Sequence, residues 1–168
     1  MKNRIGIIGA GIGGLTLAAL LQKRGFDVAV FEQASKFARV GAGIQQSANA
    51  VKVLRDIGLE DHLRKTAFCP QTWNNREWDT GVMKHELTLG AAYEEKYGAP
   101  YFLLHRGDLH AAIASKVDPQ SIHLQKKLKH YSNQGDQVHL TFEDGTIDVV
   151  DALIGADGIH SKIREQML

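Results

Sequence analysis

Cysteine is almost absent from this chain. Cys69 stands alone, so no internal disulfide can form and no cysteine-based zinc cluster can be built. A reduced, cytoplasmic setting is the expectation that follows. A surplus of one charge is also absent: 20 Lys and Arg against 19 Asp and Glu leave a formal charge of +1. Without a basic surplus, nucleic acid is not an expected partner. With 43% hydrophobic residues, the composition is not that of a disordered tail. No apolar run approaches the length of a membrane span, so no membrane partner is expected. The start, MKNRIGIIGAGIGG, is basic and then apolar, as a signal peptide would be. However, five glycines from Gly6 to Gly14 break the run and no A-x-A site follows. Repeats and low-complexity linkers are missing too, and nothing marks an internal domain boundary. At 168 residues the chain has the length of one domain, able to bury roughly 70% of its unfolded surface.

What the chain does have is glycine, 17 residues clustered at turns. The stretch RIGIIGAGIGGLTLAALLQKRGFDVAVFEQ is the most informative. Ile5, Ile7 and Ile8 predict a short buried strand, Leu15 to Arg24 a helix closed by Gly25, and Val28 to Phe31 a second strand ending on Glu32. Between the first strand and the helix, Gly9, Gly11 and Gly14 complete G-x-G-x-x-G. Each glycine has its own reason. Gly9 permits the tight turn, Gly11 lets a pyrophosphate approach the backbone, and Gly14 lets helix and strand pack closely. The phosphates would then meet the amides of the helix N-terminus. Glu32 follows Gly11 by 21 residues, near the spacing of about 20 at which a carboxylate receives ribose hydroxyls. Strand, glycine turn, helix, strand and acid together predict an adenine dinucleotide site. The motif alone does not separate FAD from NAD.

Beyond Glu32, residues 33–46 read as a loop. Ser47 is a plausible N-cap for a helix over 48–57 that Gly58 ends, and a short helix follows over Glu60 to Lys65. Residues 68–89 alternate as two strands joined near Asp79-Thr80-Gly81, an antiparallel hairpin. In that hairpin Trp73 and Trp78 would point to opposite faces, one of them into the core. Tyr101 to His105 predicts a strand, and Asp108 to Val117 a helix with Leu109, Ile113 and Val117 on one face. Strands are expected at 121–126, 128–132, 137–142, 146–150 and at Leu153-Ile154, before the turn Gly155-Ala156-Asp157-Gly158. No HExxH or comparable spacing joins the eight histidines, so no metal site is expected.

Four stretches occur in order: the opening fingerprint, RVGAGI at 39–44, LHRGDLHAAI at 104–113 and GADGIHSKIR at 155–164. Together they resemble the N-terminal part of the flavin-dependent aromatic hydroxylases of the para-hydroxybenzoate hydroxylase type, most of all the 6-hydroxynicotinate 3-monooxygenase and salicylate hydroxylase group. The resemblance covers essentially the whole chain. It implies an α/β class, a Rossmann-like FAD-binding fold of the GR2 type, with a parallel sheet plus an antiparallel hairpin and meander. It implies FAD as cofactor, NADH or NADPH as co-substrate, and a small aromatic substrate.

Roles then follow by position. Gly9, Gly11, Gly13 and Gly14 would cradle the FAD pyrophosphate, and Glu32 would hold the adenosine ribose, with Gln33 assigned to the same site. Arg39 would face the flavin side. Arg106 would reach the phosphate and ribityl region. Leu128 would lie along the adenine, mainly through its backbone. Asp157 would contact the ribose or pyrophosphate region, although an Asp there can also simply cap the last helix. In the 6-hydroxynicotinate group a histidine placed as a base follows the GAGI stretch. Here Gln45 stands there, and an amide cannot take a proton near neutrality. By its position in the resemblance Gln45 would line the flavin pocket, and no catalytic residue is named.

Chains of that family continue past the Asp-Gly turn with a substrate-covering sheet and a Gly-Asp flavin segment. The resemblance thus implies that residues 1–168 are one FAD-binding domain, incomplete in itself. Apolar surface and sheet edge left uncovered would favour self-association. The alternative reading is a nucleotide-binding module without turnover, or half of a split protein that associates with another chain.

Overall fold

A computed structural model describes residues 3–39 and 41–168. The chain divides into two compact units, residues 1–39 with 109–168, and residues 40–108. In the first unit, β1 (Arg4–Ile8) leads through α1 (Ile12–Lys23) to β2 (Asp27–Phe31). In the second come β3 (Gly43–Gln46), α2 (Ala48–Asp56), α3 (Glu60–Thr66), β4 (Thr72–Arg76), β5 (Met83–Thr88), α4 (Gly90–Tyr97) and β6 (Phe102–His105). Helix α5 (Arg106–Ala114) leads back into the first unit. That unit then holds β7 (Ile122–His123), β8 (Leu128–Gln134), β9 (Gln137–Phe142), β10 (Ile147–Val150), β11 (Ala152–Gly155) and α6 (Lys162–Met167).

The first unit is built on a parallel sheet in the order β11-β1-β2-β7. Its strands are near-continuous apolar runs because both faces are covered: four of five residues in each of β1 and β2 are buried. Strands β10, β9 and β8 form an antiparallel sheet. Ile8, Phe31, Leu128, Leu140, Phe142 and Ile163 share one apolar cluster, with the Phe31 and Phe142 rings 4.9 Å apart. Burying a side chain the size of Phe31 contributes roughly 2–3 kcal/mol. Leu109, Ile113 and Val117 are all buried, as their spacing predicts. The second unit contains two antiparallel pairs, β3 with β6 and β4 with β5.

The α/β class with parallel and antiparallel strands is as read from the sequence, and the differences are local. The expected loop at 33–46 ends in β3, whose polar Gly-Ile-Gln-Gln becomes a strand only because β6 supplies its ladder, Gln45 opposite Leu103. The expected strand at 121–126 is only two residues long. Gln125 takes a left-handed φ of 59°, and Lys126 N–H turns to the Glu32 carbonyl at 2.8 Å. Helix α4 was not read from the sequence. It lies between Gly90 and Gly98, both at positive φ, with Gly98 as a left-handed C-cap. Neither tryptophan packs in the core: Trp73 is 48% and Trp78 96% exposed. Trp78 lies two residues past Arg76, the last residue of β4, and sits in the turn, where strand alternation no longer orients it.

Candidate functional site

The glycine turn is as tight as its sequence suggests. Gly9 has φ of +104°, and a Cβ there would stand 2.4 Å from the Ala156 carbonyl oxygen. A Cβ on Gly14 would lie 2.0 Å from the Gly9 carbonyl oxygen, so helix and strand meet backbone to backbone. At Gly11 and Gly13 a Cβ would meet nothing within 4 Å. The two constrained glycines hold the turn, and the two unconstrained ones leave open space at the N-terminus of α1. The first-turn amides of a helix have no intrahelical partner and attract an anion.

Glu32 ties this turn to the end of β2. One carboxylate oxygen accepts from Ala10 N–H at 2.8 Å and the other from Ala34 N–H at 2.9 Å. The Ala10 carbonyl accepts from His110 Nε2 at 2.7 Å. Glu32 N–H donates to the His123 carbonyl at 2.9 Å, which fixes β7 alongside.

A cleft of about 440 Å³ opens over this turn, within the first unit. Gly9, Gly11, Glu32, Gln33, Leu128 and Asp157 all line it. Leu128 is also part of the apolar cluster, only 4% exposed. The Asp157 carboxylate is engaged with the start of the last helix. It accepts from Ser161 Oγ at 2.6 Å, Lys162 N–H at 2.6 Å and Ile163 N–H at 3.3 Å. Ser161 is the N-cap of α6, its Oγ accepting from Arg164 N–H at 3.0 Å, and Asp157 shares the capping by taking the Lys162 and Ile163 amides, which holds the Asp-Gly turn against the cleft. Gly13 and Gly14 lie in the first turn of α1, Gly13 exposed and Gly14 buried, and neither lines the cleft.

Besides Gly13 and Gly14, three sequence-assigned residues do not line the cleft. Arg39 is exposed at the end of the first unit, and Val40 of RVGAGI lies outside the described residues. Gln45 and Arg106 belong to the second unit. Gln45 is exposed on β3, and its Oε1 accepts from the Tyr101 hydroxyl at 2.7 Å. Burial, and then Tyr93, raise the Tyr101 pKa above the ordinary phenol value. Arg106 opens α5 as expected, with its N–H on the Ala42 carbonyl at 3.0 Å. Its aliphatic stem passes Gly41, where a Cβ would stand 3.1 Å from Arg106 Cδ. Gly41 has φ of +125° and leaves room for that stem.

Sequence reasoning missed the side of the cleft lined by lysines and a histidine. Lys126, Lys127, His160 and Lys162 also line it. Lys126 Nζ reaches Asp144 at 2.6 Å and Thr146 at 2.8 Å, and Lys127 pairs with Glu143 at 2.9 Å. The signal was the run Gln-Lys-Lys-Leu-Lys at 125–129, read only for its apolar member. Among the described residues no three His, Cys, Asp or Glu side chains converge to hold a metal. No described helix is long and apolar enough to cross a membrane.

A family model described as an FAD binding domain matches residues 2–167. The chain belongs to the FAD binding domain family. Relatives of this FAD binding domain include 6-hydroxynicotinate 3-monooxygenase of Bordetella bronchiseptica. The two are 40% identical over 167 residues, which is 99% of this chain and 44% of that protein. It is 43% identical over 165 residues to 3-amino-4-hydroxybenzoate 2-monooxygenase of Streptomyces cremeus, covering 98% of this chain and 42% of the relative. Among solved structures, Klebsiella pneumoniae HpxO complexed with FAD and uric acid superposes with a TM-score of 0.86 at 28% identity. That match covers 98% of this chain and 41% of the other. The FAD binding domain thus spans less than half the length of the relatives it matches, and the likeness read from its four motifs agrees with them.

Proposed function

We propose that this chain carries the FAD-binding part of a flavin-dependent monooxygenase that hydroxylates an aromatic ring, a phenolic or hydroxypyridine acid. One observation carries the reading: the cleft fits the adenine dinucleotide. A Cβ would fill the turn at Gly9 and Gly14 but meet nothing at Gly11 and Gly13, and a carboxylate stands at the end of β2 where ribose is received. The names of the curated relatives support the aromatic-ring class.

In this reading Gly11, Gly13 and the first-turn amides of α1 hold the pyrophosphate. The helix dipole adds to the attraction. Glu32 has oxygen lone pairs beyond its two backbone bonds and receives the ribose hydroxyls. Gln33 lies beside it, and the Leu128 backbone borders the adenine. Asp157 acts on the cofactor through the turn it stiffens. Arg39, Gln45 and Arg106 are proposed for the flavin end. Bound FAD would supply hydride acceptance from NADH or NADPH and activation of O₂. The overall change balances as ring C–H, O₂, NAD(P)H and a proton giving ring C–OH, NAD(P)⁺ and water. The protein's share is to bind, orient and exclude water. A small aromatic acid is the proposed substrate and the cytoplasm the proposed setting. The exposed Trp73, Trp78, Val82, Met83 and Leu87 of the β4–β5 hairpin support self-association.

The test is titration of the chain with FAD, followed by flavin fluorescence, and then NADH oxidation with flavin bound. Saturable binding, weakened by Gly11→Val, is expected. A folded chain that binds no FAD would overturn the reading.

A further inference from the structure

We infer that His110 is a positioning residue of the dinucleotide turn: it sets which way the Ala10–Gly11 peptide faces. A carbonyl oxygen can only accept, so the 2.7 Å contact to the Ala10 carbonyl assigns the proton to His110 Nε2. A trans peptide is planar, and its C=O and N–H point in opposite directions. Fixing the Ala10 carbonyl on His110 therefore commits the Gly11 N–H to the opposite side. Gly11 lines the cleft, and open space surrounds the position of its missing Cβ.

The peptide before it is fixed as well. Ala10 N–H is held by Glu32, and Gly9 N–H by the Phe31 carbonyl at 2.8 Å. Without His110 the Ala10–Gly11 plane would be the loosest element of the turn, since glycine opposes little rotation. The ring itself is well placed for the task. Phe37 meets it edge-on at 4.9 Å, and its neighbours Leu109 and Ile113 on α5 are fully buried. Pre-organising one donor spares the cost of orienting it when the anion arrives.

This inference rests on the FAD reading above. The experiment compares the unaltered chain with His110→Gln, His110→Asn and His110→Leu. Gln carries an N–H donor to about the reach of His110 Nε2, Asn is one methylene shorter, and Leu has no donor. FAD affinity by fluorescence titration is expected to fall roughly fivefold to tenfold in His110→Leu and His110→Asn. His110→Gln should restore it to within about twofold. The second readout needs no cofactor: the Ala10 carbonyl ¹³C resonance should move upfield in His110→Leu and return in His110→Gln. A merely structural role would lower the thermal midpoint without this pattern. If His110→Leu does not fold, the Gln and Asn variants decide. Equal affinities with an unmoved Ala10 resonance overturn the inference. An unaltered chain that binds no FAD, while the resonance still responds, overturns only the reading on which it rests.

Discussion

The two hairpin-like regions of this chain treat the same kind of residue in opposite ways. In the first unit β8 and β9 lay Leu128, Leu140 and Phe142 into a shared cluster, each no more than 4% exposed. In the second unit every residue of β4 and β5 is exposed, Leu87 and Trp73 among them at 43% and 48%. Both regions alternate in sequence and both form antiparallel ladders. Alternation therefore specifies the ladder but not what covers its face. Covering comes from elsewhere in the chain, as Ile8, Phe31 and Ile163 do for β8 and β9.

The sharpest test of a constrained region against an open one lies inside the glycine turn. Gly14→Ala would drive a methyl to 2.0 Å from a backbone oxygen that no rotamer change can move. It should cost about 3 kcal/mol or more in urea unfolding followed by circular dichroism. Gly13→Ala, one residue earlier and facing open space, should leave stability unchanged or raise it by up to about 1 kcal/mol. Its effect should appear in FAD affinity instead. Equal stability losses in the two variants would break the distinction between glycines that pack and glycines that leave room.

That distinction also marks what the sequence made legible. Gly9, Gly11 and Gly14 act through the backbone at fixed spacings, and the Glu32 carboxylate stands at the end of the next strand, so their order along the chain carries their geometry. The parallel sheet was legible for the same reason, as apolar runs bounded by glycine. Lys126, Lys127 and Lys162 were not, because they come together only when the turn at Gln125 and the cap of α6 bring distant segments to one cleft. Strand β3 was hidden because its ladder is supplied by β6, and the exposure of the tryptophans because no local pattern shows what covers a face.

Asp157 offers the next largest effect. Its carboxylate accepts two backbone amides and the Ser161 hydroxyl at the start of α6. Asp157→Ala should cost about 1–2 kcal/mol in denaturant unfolding, and FAD affinity should fall with the loosened turn. Asp157→Asn, which keeps an acceptor, should recover part of both. An affinity loss without a stability loss would mean that the carboxylate acts on the cofactor directly rather than through the helix.

In the second unit the comparable polar device lies on the surface. Glu60 receives Arg55 and Arg64, and Arg64 also reaches Glu94. The hydrogen bond from Arg55 is the largest cause holding the Glu60 pKa below its ordinary value of 4.5, and Arg64 adds to it. A carboxylate with a depressed folded pKa stabilises above its unfolded value, and the effect is lost as pH falls through the folded one. Glu60→Gln should therefore cost about 0.5–1 kcal/mol at pH 7, given how exposed the arginines are. The difference from the unaltered chain should shrink as the pH drops below about 4.5 in thermal scans. A difference that persists in acid would mean packing, not charge, is what Glu60 supplies.

The smallest effect on stability should come from the most exposed aromatic side chain among the described residues. Trp78 is 96% exposed beside Val82 at 59%, in the turn held by Glu77 N–H on the Val82 carbonyl at 2.9 Å. An indole that touches almost nothing contributes almost nothing to folding, so Trp78→Ser should change unfolding free energy by less than about 0.5 kcal/mol. The same exposure makes it a candidate for contact between copies of the chain, since apolar area removed from water drives association as it drives folding. Light scattering across a concentration series should show association in the unaltered chain and less of it in Trp78→Ser. A monodisperse monomer in both would mean that the uncovered face of the hairpin is no interface, and that exposure alone sets it apart from β8 and β9.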